Sequence, residues 1–256
     1  MTEGQRRVVL IGASVRQSLS TALQNAGFQA AGLDCRYEPI DLSPDQLASF
    51  VTSMRGDPTI LGANVTIPHK EAIMPLLDQV DPSARTIGAV NTISRDGARL
   101  VGSNTDAAGF AAALAELGYD PAGRTAVVIG AGGAARAVVS VLQPKADRLW
   151  VVNRNLARAE RLCADLEVAR GGAVPFTDLD RIVGTAELIV NATPADITGP
   201  ASPSRLYFDL RSRQSQTGRL MLLHQGLIAF EIWTGDPPPA AAMRATLARA
   251  AEGATA

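Results

Sequence analysis

Cysteine, histidine and aromatic residues are scarce in this chain, and each scarcity removes a class of protein. Of 256 residues only two are cysteine and two histidine, and Phe, Trp and Tyr together make up 4%. Cys35 and Cys163 stand far apart without metal-ligand spacing, so neither a disulfide framework nor a metal centre is expected. Both read as idle thiols in a reducing compartment. An excess of charge is missing too: 24 Lys and Arg face 25 Asp and Glu, a formal net charge of -1 spread along the chain. Such a balance gives no electrostatic argument for a nucleic acid or an anionic membrane surface. No run approaches the roughly 20 apolar residues that a membrane span requires. The polar start, Met1 to Arg7, has no apolar signal core behind it. The expectation is a cytoplasmic protein acting on small molecules, monomer or homodimer, long enough for one large domain or two small ones.

What is present is an alternation of short apolar runs with amphipathic stretches. Strands are expected at Arg7 to Ile11, Cys35 to Ile40 and Ile60 to Val65. Helices are expected from about Ser20 to Ala30 and from Pro44 to Met54, the second with Ser43 as N-cap and Pro44 in the first helical position. A further helix is expected from Lys70 to Leu77, bent or broken at Pro75. Ala89 to Ser94 and Arg99 to Ser103 bracket a hairpin signal at Asp96-Gly97. A strong helix from Ala107 to Leu117 ends at Gly118, and with Pro121 and Gly123 this punctuation is a candidate boundary between two lobes. A second series opens at Thr125 to Ile129, with later strands at Arg148 to Val152, Ala173 to Phe176, Leu188 to Asn191 and Tyr207 to Leu210. Helices from Met221 to Trp233 and from Ala240 to Glu252 close the chain around the rigid joint Pro237-Pro238-Pro239. The expected fold class is α/β, with an N-terminal, mainly parallel substrate domain over residues 1–106, completed by helices over 221–256, and a Rossmann-type domain over 107–220.

The second series opens with a glycine turn. Val127-Val128-Ile129 runs into Gly130-Ala131-Gly132-Gly133-Ala134 and then a helix. Glycine at the first position allows the tight turn. At the second it lets the backbone approach a pyrophosphate, held by the N–H groups and positive end of the helix. A strand before, a helix after and a further strand beyond lift the pattern above a plain turn. An NAD site offers a carboxylate to the ribose 2′-hydroxyl about 20 residues on. Here the strand ends in Val152-Asn153-Arg154-Asn155-Leu156-Ala157-Arg158, with no carboxylate. Arg154 and Arg158 suit a 2′-phosphate, with Asn153 on the ribose or phosphate, so the expected cofactor is NADP.

Three segments of the first lobe carry polar residues in or just after apolar strands. They are Asn64-Val65-Thr66-Ile67-Pro68-His69-Lys70, Gly88-Ala89-Val90-Asn91-Thr92 and Gly102-Ser103-Asn104-Thr105-Asp106. Strand ends of an open α/β sheet are where ligands bind, although each segment alone also fits an ordinary polar turn. Taken in order with the glycine turn, with Asn191-Ala192-Thr193-Pro194, and with Met221-Leu222-Leu223-His224-Gln225-Gly226 followed by Phe230-Glu231-Ile232-Trp233, they resemble the shikimate dehydrogenase family over nearly the whole chain. The resemblance implies reversible reduction of 3-dehydroshikimate by NADPH, with Lys70 and Asp106 as the catalytic pair. It implies further that Asn64, Thr66, Asn91 and Gln225 bond the substrate ring and that Ser18 and Ser20 hold its carboxylate. Read without the family, those serines are helix-start caps. Thr193 and Met221 would join the cofactor site. The chemistry is coherent, because an ammonium stabilises and protonates the alkoxide that develops as a ketone is reduced. Two lobes around a cleft that closes to exclude water would suit it.

Two departures from the family pattern stand out. Gln17-Ser18-Leu19-Ser20-Thr21 keeps both serines but lacks the family's flanking histidine and proline, with Arg16 just before. After Asp209-Leu210, Ser212 stands near the family's Tyr, and Arg211 to Leu220 runs directly to Met221 where the family has a further helix. They leave open a diverged enzyme acting on quinate, an aminoshikimate-like or another cyclic hydroxy acid, or a non-catalytic NADP-binding protein.

Overall fold

A computed structural model describes residues 5–197 and 205–252, so Met1 to Gly4 of the polar start lie outside the described residues. The chain divides into two compact units, one of Met1–Arg85, Ala89–Thr105 and Leu222–Ala256 and one of Thr86–Gly88 and Asp106–Met221.

The first unit opens with β1 (Arg6–Gly12), α1 (Leu19–Ala30), β2 (Cys35–Asp41), α2 (Leu47–Gly56) and β3 (Ile60–Val65). The short β4 (Gln79–Val80) and α3 (Pro82–Ile87) precede the hairpin of β5 (Thr92–Asp96) and β6 (Arg99–Ser103). Its six-stranded sheet has the order β2-β1-β3-β5-β6-β4. β1 pairs parallel with β2 and β3, the hairpin enters antiparallel to β3, and β4 lies parallel to β6. Val8, Val9, Leu10 and Ile11 are all buried, as a central strand covered on both faces requires. Val9 and Ile11 pack with Val51, Met54 and Leu100; Val8 and Leu10 pack with Leu23, Phe28, Phe230 and Met243.

The second unit contains α4 (Thr105–Glu116), β7 (Thr125–Ile129), α5 (Gly133–Leu142), β8 (Arg148–Asn153), α6 (Leu156–Asp165), β9 (Gly171–Pro175), α7 (Leu179–Val183), β10 (Leu188–Asn191) and β11 (Leu206–Asp209). Five parallel strands lie in the order β11-β10-β7-β8-β9, the doubly wound arrangement expected of a dinucleotide-binding fold. α4 contributes Phe110, Ala113 and Leu114 to this unit's core, so the punctuation at Gly118 is a turn inside the unit. The Phe110 and Phe208 rings meet edge to face, 5.0 Å apart. α8 (Gln216–Thr234) and α9 (Ala240–Glu252) close the chain and belong to the first unit from Leu222 onward. There Phe230 lies 5.4 Å from Phe28.

Several expectations need correction. Lys70 to Leu77 is not an α-helix; turns lead to a single 3-10 turn at Met74–Leu76. Pro75 has no N–H to donate, and its ring crowds the carbonyl four residues back, so a helix cannot run through it. The helix expected from Pro44 starts as a 3-10 turn, with the Ser43 N–H donating to Gln46 Oε1 at 3.0 Å. Val90 and Asn91 precede β5 and bond sideways instead, Val90 N–H to the Lys70 carbonyl at 2.8 Å and Asn91 N–H to the Ser103 carbonyl at 3.1 Å. α8 begins at Gln216 rather than Met221, because Ser215 caps it by accepting from Gly218 N–H at 3.2 Å. Among the described residues, no helix is long and apolar enough to cross a membrane, and no group of three or more acidic, His or Cys side chains could hold a metal.

Candidate active site

Register places the polar residues of the first unit along one edge of its sheet. Asn64, one residue short of the end of β3, pairs with Leu10 on one side and Thr92 on the other, and Thr92 pairs with Ser103 at the end of β6. Asn64 Nδ2 donates to the Asn91 carbonyl and to Thr92 Oγ1, both at 3.1 Å. Asn91 Nδ2 donates to Thr105 Oγ1 at 2.9 Å and to Gln225 Oε1 at 3.4 Å, and its Oδ1 accepts from Thr105 N–H at 2.7 Å. Thr105 Oγ1 also donates to Gln225 Oε1 at 3.3 Å. Asn64, Asn91, Thr92, Thr105 and Gln225 are all buried. A buried amide left unpaired costs about 1–3 kcal/mol, so each member holds its neighbours in one orientation.

Backbone neighbours connect Lys70 and Asp106 to this row. The Lys70 carbonyl is bonded to Val90, next to Asn91, and Thr105, bonded to Asn91, precedes Asp106 in the chain. Lys70 is half-buried and Asp106 buried in the first turn of α4. Between Thr66 and Lys70, the turn is held by Thr66 N–H bonding the Ile11 carbonyl at 2.9 Å and by buried His69, whose Nε2 donates to the Leu42 carbonyl at 2.8 Å. Ser18 caps α1 by accepting from Ser20 N–H at 3.2 Å, and its Oγ donates to Ser20 Oγ at 3.1 Å. Arg16 is bonded to Asp41 at 3.0 Å and is largely exposed.

Tyr37 was not singled out by sequence. It is buried in β2, and its hydroxyl donates to Asn64 Oδ1 at 2.7 Å. A tyrosine in a strand is ordinarily a packing residue. The one available signal was that a buried Tyr hydroxyl needs a partner.

In the second unit the glycine turn lies at the point where strand order reverses. Gly130, at φ +117, joins β7 to α5, and its N–H donates to the Val152 carbonyl at 2.8 Å. A Cβ there would sit 3.1 Å from the Ala192 carbonyl oxygen and from the Thr193 methyl, a tight approach to the β10 loop at a φ that side-chain-bearing residues rarely adopt. A Cβ on Gly132 would meet nothing within 4 Å, which leaves open space over the start of α5. Gly132 is the N-cap and has no side chain to occupy the first amides; Gly133 and Ala134 open the helix, and Ala131 is buried beneath the turn. The residues present therefore fit a pyrophosphate seat. At the end of β8, Asn153 Nδ2 donates to the Asn155 carbonyl at 2.8 Å, and Asn155 caps α6 by accepting from Arg158 N–H at 3.3 Å. Arg154 and Arg158 are both exposed there. Thr193 is fixed by Asn191, whose Oδ1 accepts from its N–H at 3.0 Å and its hydroxyl at 2.8 Å. Met221 packs inside this unit's core with Phe208 and Val190.

β11 passes into α8 through one turn. Arg211 grips the buried Asp209 with Nε and Nη2, at 2.9 and 2.6 Å from Oδ2, and reaches Asp196 at 2.8 Å. Gly218 lets α8 start against this turn, since a Cβ there would come 2.7 Å from the Asp209 carbonyl oxygen. Ser212 stands in the turn.

One unit that is doubly wound with an open glycine turn at its switch point, and another that gathers buried amides and hydroxyls at one sheet edge, together define a dinucleotide-dependent enzyme of small polar substrates. Three family models match: the shikimate dehydrogenase substrate binding domain over residues 10–93, the shikimate / quinate 5-dehydrogenase over 112–198 and the shikimate 5'-dehydrogenase C-terminal domain over 218–248. A shikimate dehydrogenase (NADP(+)) of Geobacter metallireducens is 42% identical over 275 residues, covering 94% of this chain and 96% of that one. Shikimate 5-dehydrogenase of Thermus thermophilus, solved in complex with NADP(H) and shikimate, has a TM-score of 0.80 at 36% identity and covers 96% of this chain and 99% of that one. Quinate dehydrogenase of Corynebacterium glutamicum, solved in complex with NAD, has a TM-score of 0.81 at 27% identity, with the same coverages. The chain belongs to the shikimate dehydrogenase family.

Proposed function

We propose that the chain is an NADP-dependent oxidoreductase that interconverts shikimate and 3-dehydroshikimate. The observation that carries this reading is the buried row from Asn64 through Asn91 and Thr105 to Gln225, with Asp106 next to Thr105 in the chain and the Lys70 carbonyl bonded to Val90, the neighbour of Asn91. Residues 1–106 with 221–256 serve as the substrate domain and 107–220 as the cofactor domain. Gly130, Ala131, Gly132, Gly133 and Ala134 seat the pyrophosphate. Asn153, Arg154 and Arg158 take the ribose 2′-phosphate, while Thr193 lines the cofactor loop, with Met221 packed behind. When bound, NADP would supply the acceptor for a hydride from the substrate's carbinol carbon, and NADPH the hydride for the return reaction. Lys70 Nζ takes the proton from the substrate hydroxyl in oxidation and gives it back in reduction, and Asp106 supplies the carboxylate of the pair. Ser18 and Ser20 bind the substrate carboxylate; Asn64, Thr66, Asn91 and Gln225 bind its ring groups. The setting is a monomer or homodimer in the cytoplasm, which suits two thiols, Cys35 and Cys163, that burial pushes up to about 11 and keeps as inert SH groups.

A second reading, turnover of quinate or another cyclic hydroxy acid, is favoured by one feature, the direct turn from β11 into α8 at Ser212. Steady-state rates on shikimate and quinate with NADP and with NAD separate the two. Shikimate with NADP is expected to give a kcat/KM at least about tenfold above any other pairing, because a site built on buried hydrogen bonds rejects ligands that leave them unmade. Equal or faster turnover of quinate would establish the second reading instead.

A further inference from the structure

We propose that Tyr37 is a positioning residue for the reaction, holding Asn64 so that it presents only a hydrogen-bond acceptor to a substrate hydroxyl. The inference rests on the functional reading above. Tyr37 lies in the middle of β2 and is 2% exposed. Its backbone is clamped by one side chain, with Asn25 Nδ2 donating to its carbonyl at 3.0 Å and Asn25 Oδ1 accepting from its N–H at 2.9 Å. Its ring packs against Trp233 with centroids 6.1 Å apart. The ring therefore has one position, and its hydroxyl donates to Asn64 Oδ1 at 2.7 Å.

A carboxamide offers two N–H donors and two acceptor lone pairs. Asn64 commits both donors, to the Asn91 carbonyl and to Thr92 Oγ1, and commits one lone pair to Tyr37. A single lone pair of Oδ1 remains for a ligand, so Asn64 reads a group that donates. Turning the amide over would set Oδ1 against the Asn91 carbonyl, oxygen facing oxygen. The Tyr37 hydroxyl thus fixes the sense of the amide as well as its place.

Burial raises the phenol far above its ordinary range, so Tyr37 remains a donor at every working pH.

Tyr37→Phe removes the single oxygen and keeps the ring. The test compares wild type and variant for the shikimate KM, the NADP KM, kcat and the inhibition constants of the monodeoxy shikimates. The expected result is a rise of about tenfold in the shikimate KM, with kcat and the NADP KM little changed. The deoxy compound that lacks the hydroxyl facing Asn64 should bind both proteins equally. Uniform weakening of every analogue would show a merely structural role and overturn the proposal, as would an unchanged shikimate KM. Thr92→Val, which releases one Asn64 donor, is the second variant, and the same analogue-selective pattern is expected from it should Tyr37→Phe fail to fold. A wild type that does not turn over shikimate would overturn the functional reading itself, and the proposal with it.

Discussion

Lys70→Ala is expected to lower kcat for shikimate oxidation by about a thousandfold, with the NADP KM unchanged. Lys70 sits in a turn rather than a helix, and its carbonyl is tied to Val90 beside the buried Asn91. A lysine at a fixed backbone position beside a row of buried amides delivers one proton acceptor at one place. Loss of that group should fall on the chemical step and much less on binding. Arginine should not restore the rate, because a guanidinium does not give up its proton. Asp106→Asn should follow in the same direction with a smaller loss, since it keeps the shape and removes only the charge. A fall in kcat below about threefold for Lys70→Ala would mean that the residue is an ordinary solvated charge, for which small effects are the rule.

The second large effect is expected in cofactor choice. Replacing both Arg154 and Arg158 with alanine should raise the NADP KM about a hundredfold and leave the NAD KM unchanged. Both arginines are exposed, so water weakens each contact and roughly tenfold apiece is the reasonable expectation. The NADP KM of the wild type should also rise with salt, and that dependence should flatten in the double variant. Equal losses for NADP and NAD would show that the arginines support α6 rather than read the 2′-phosphate. The absence of a carboxylate at the end of β8 makes the preference directional: nothing there repels the phosphate, while NAD gains no partner for its 2′-hydroxyl.

The second unit was the more legible half in sequence. β7 and β10 are short, continuous apolar runs, buried almost throughout, so they fall where the apolar residues do. The first unit was read less well where backbone hydrogen bonds leave the regular ladders. Lys70 to Leu77 carries helix-forming residues, but Pro75 and the bond from Lys70 to Val90 hold it in turns. β4 is two residues long and α3 only six, too short for any periodicity to show. The start of α8 was missed because Gln216 to Leu220 lacks an apolar stripe, and the helix is set by the Ser215 cap and by Gly218 against β11. Of the site, the polar segments and the glycine turn were plain. The partners that orient them were not, because Tyr37 bonds Asn64 across 27 positions of sequence and through a strand otherwise read as packing.

Deuterium transfer is the most direct measurement. Shikimate labelled with deuterium on the carbon that becomes the ketone is incubated with the protein and NADP, and the reduced cofactor is analysed by mass. NADPH carrying the deuterium, formed rapidly by the wild type and about a thousandfold more slowly by Lys70→Ala, is the expected result. Reduced cofactor without the label, or none formed despite tight NADP binding, would contradict hydride transfer from shikimate and leave the fold as a binder or as an enzyme of another substrate.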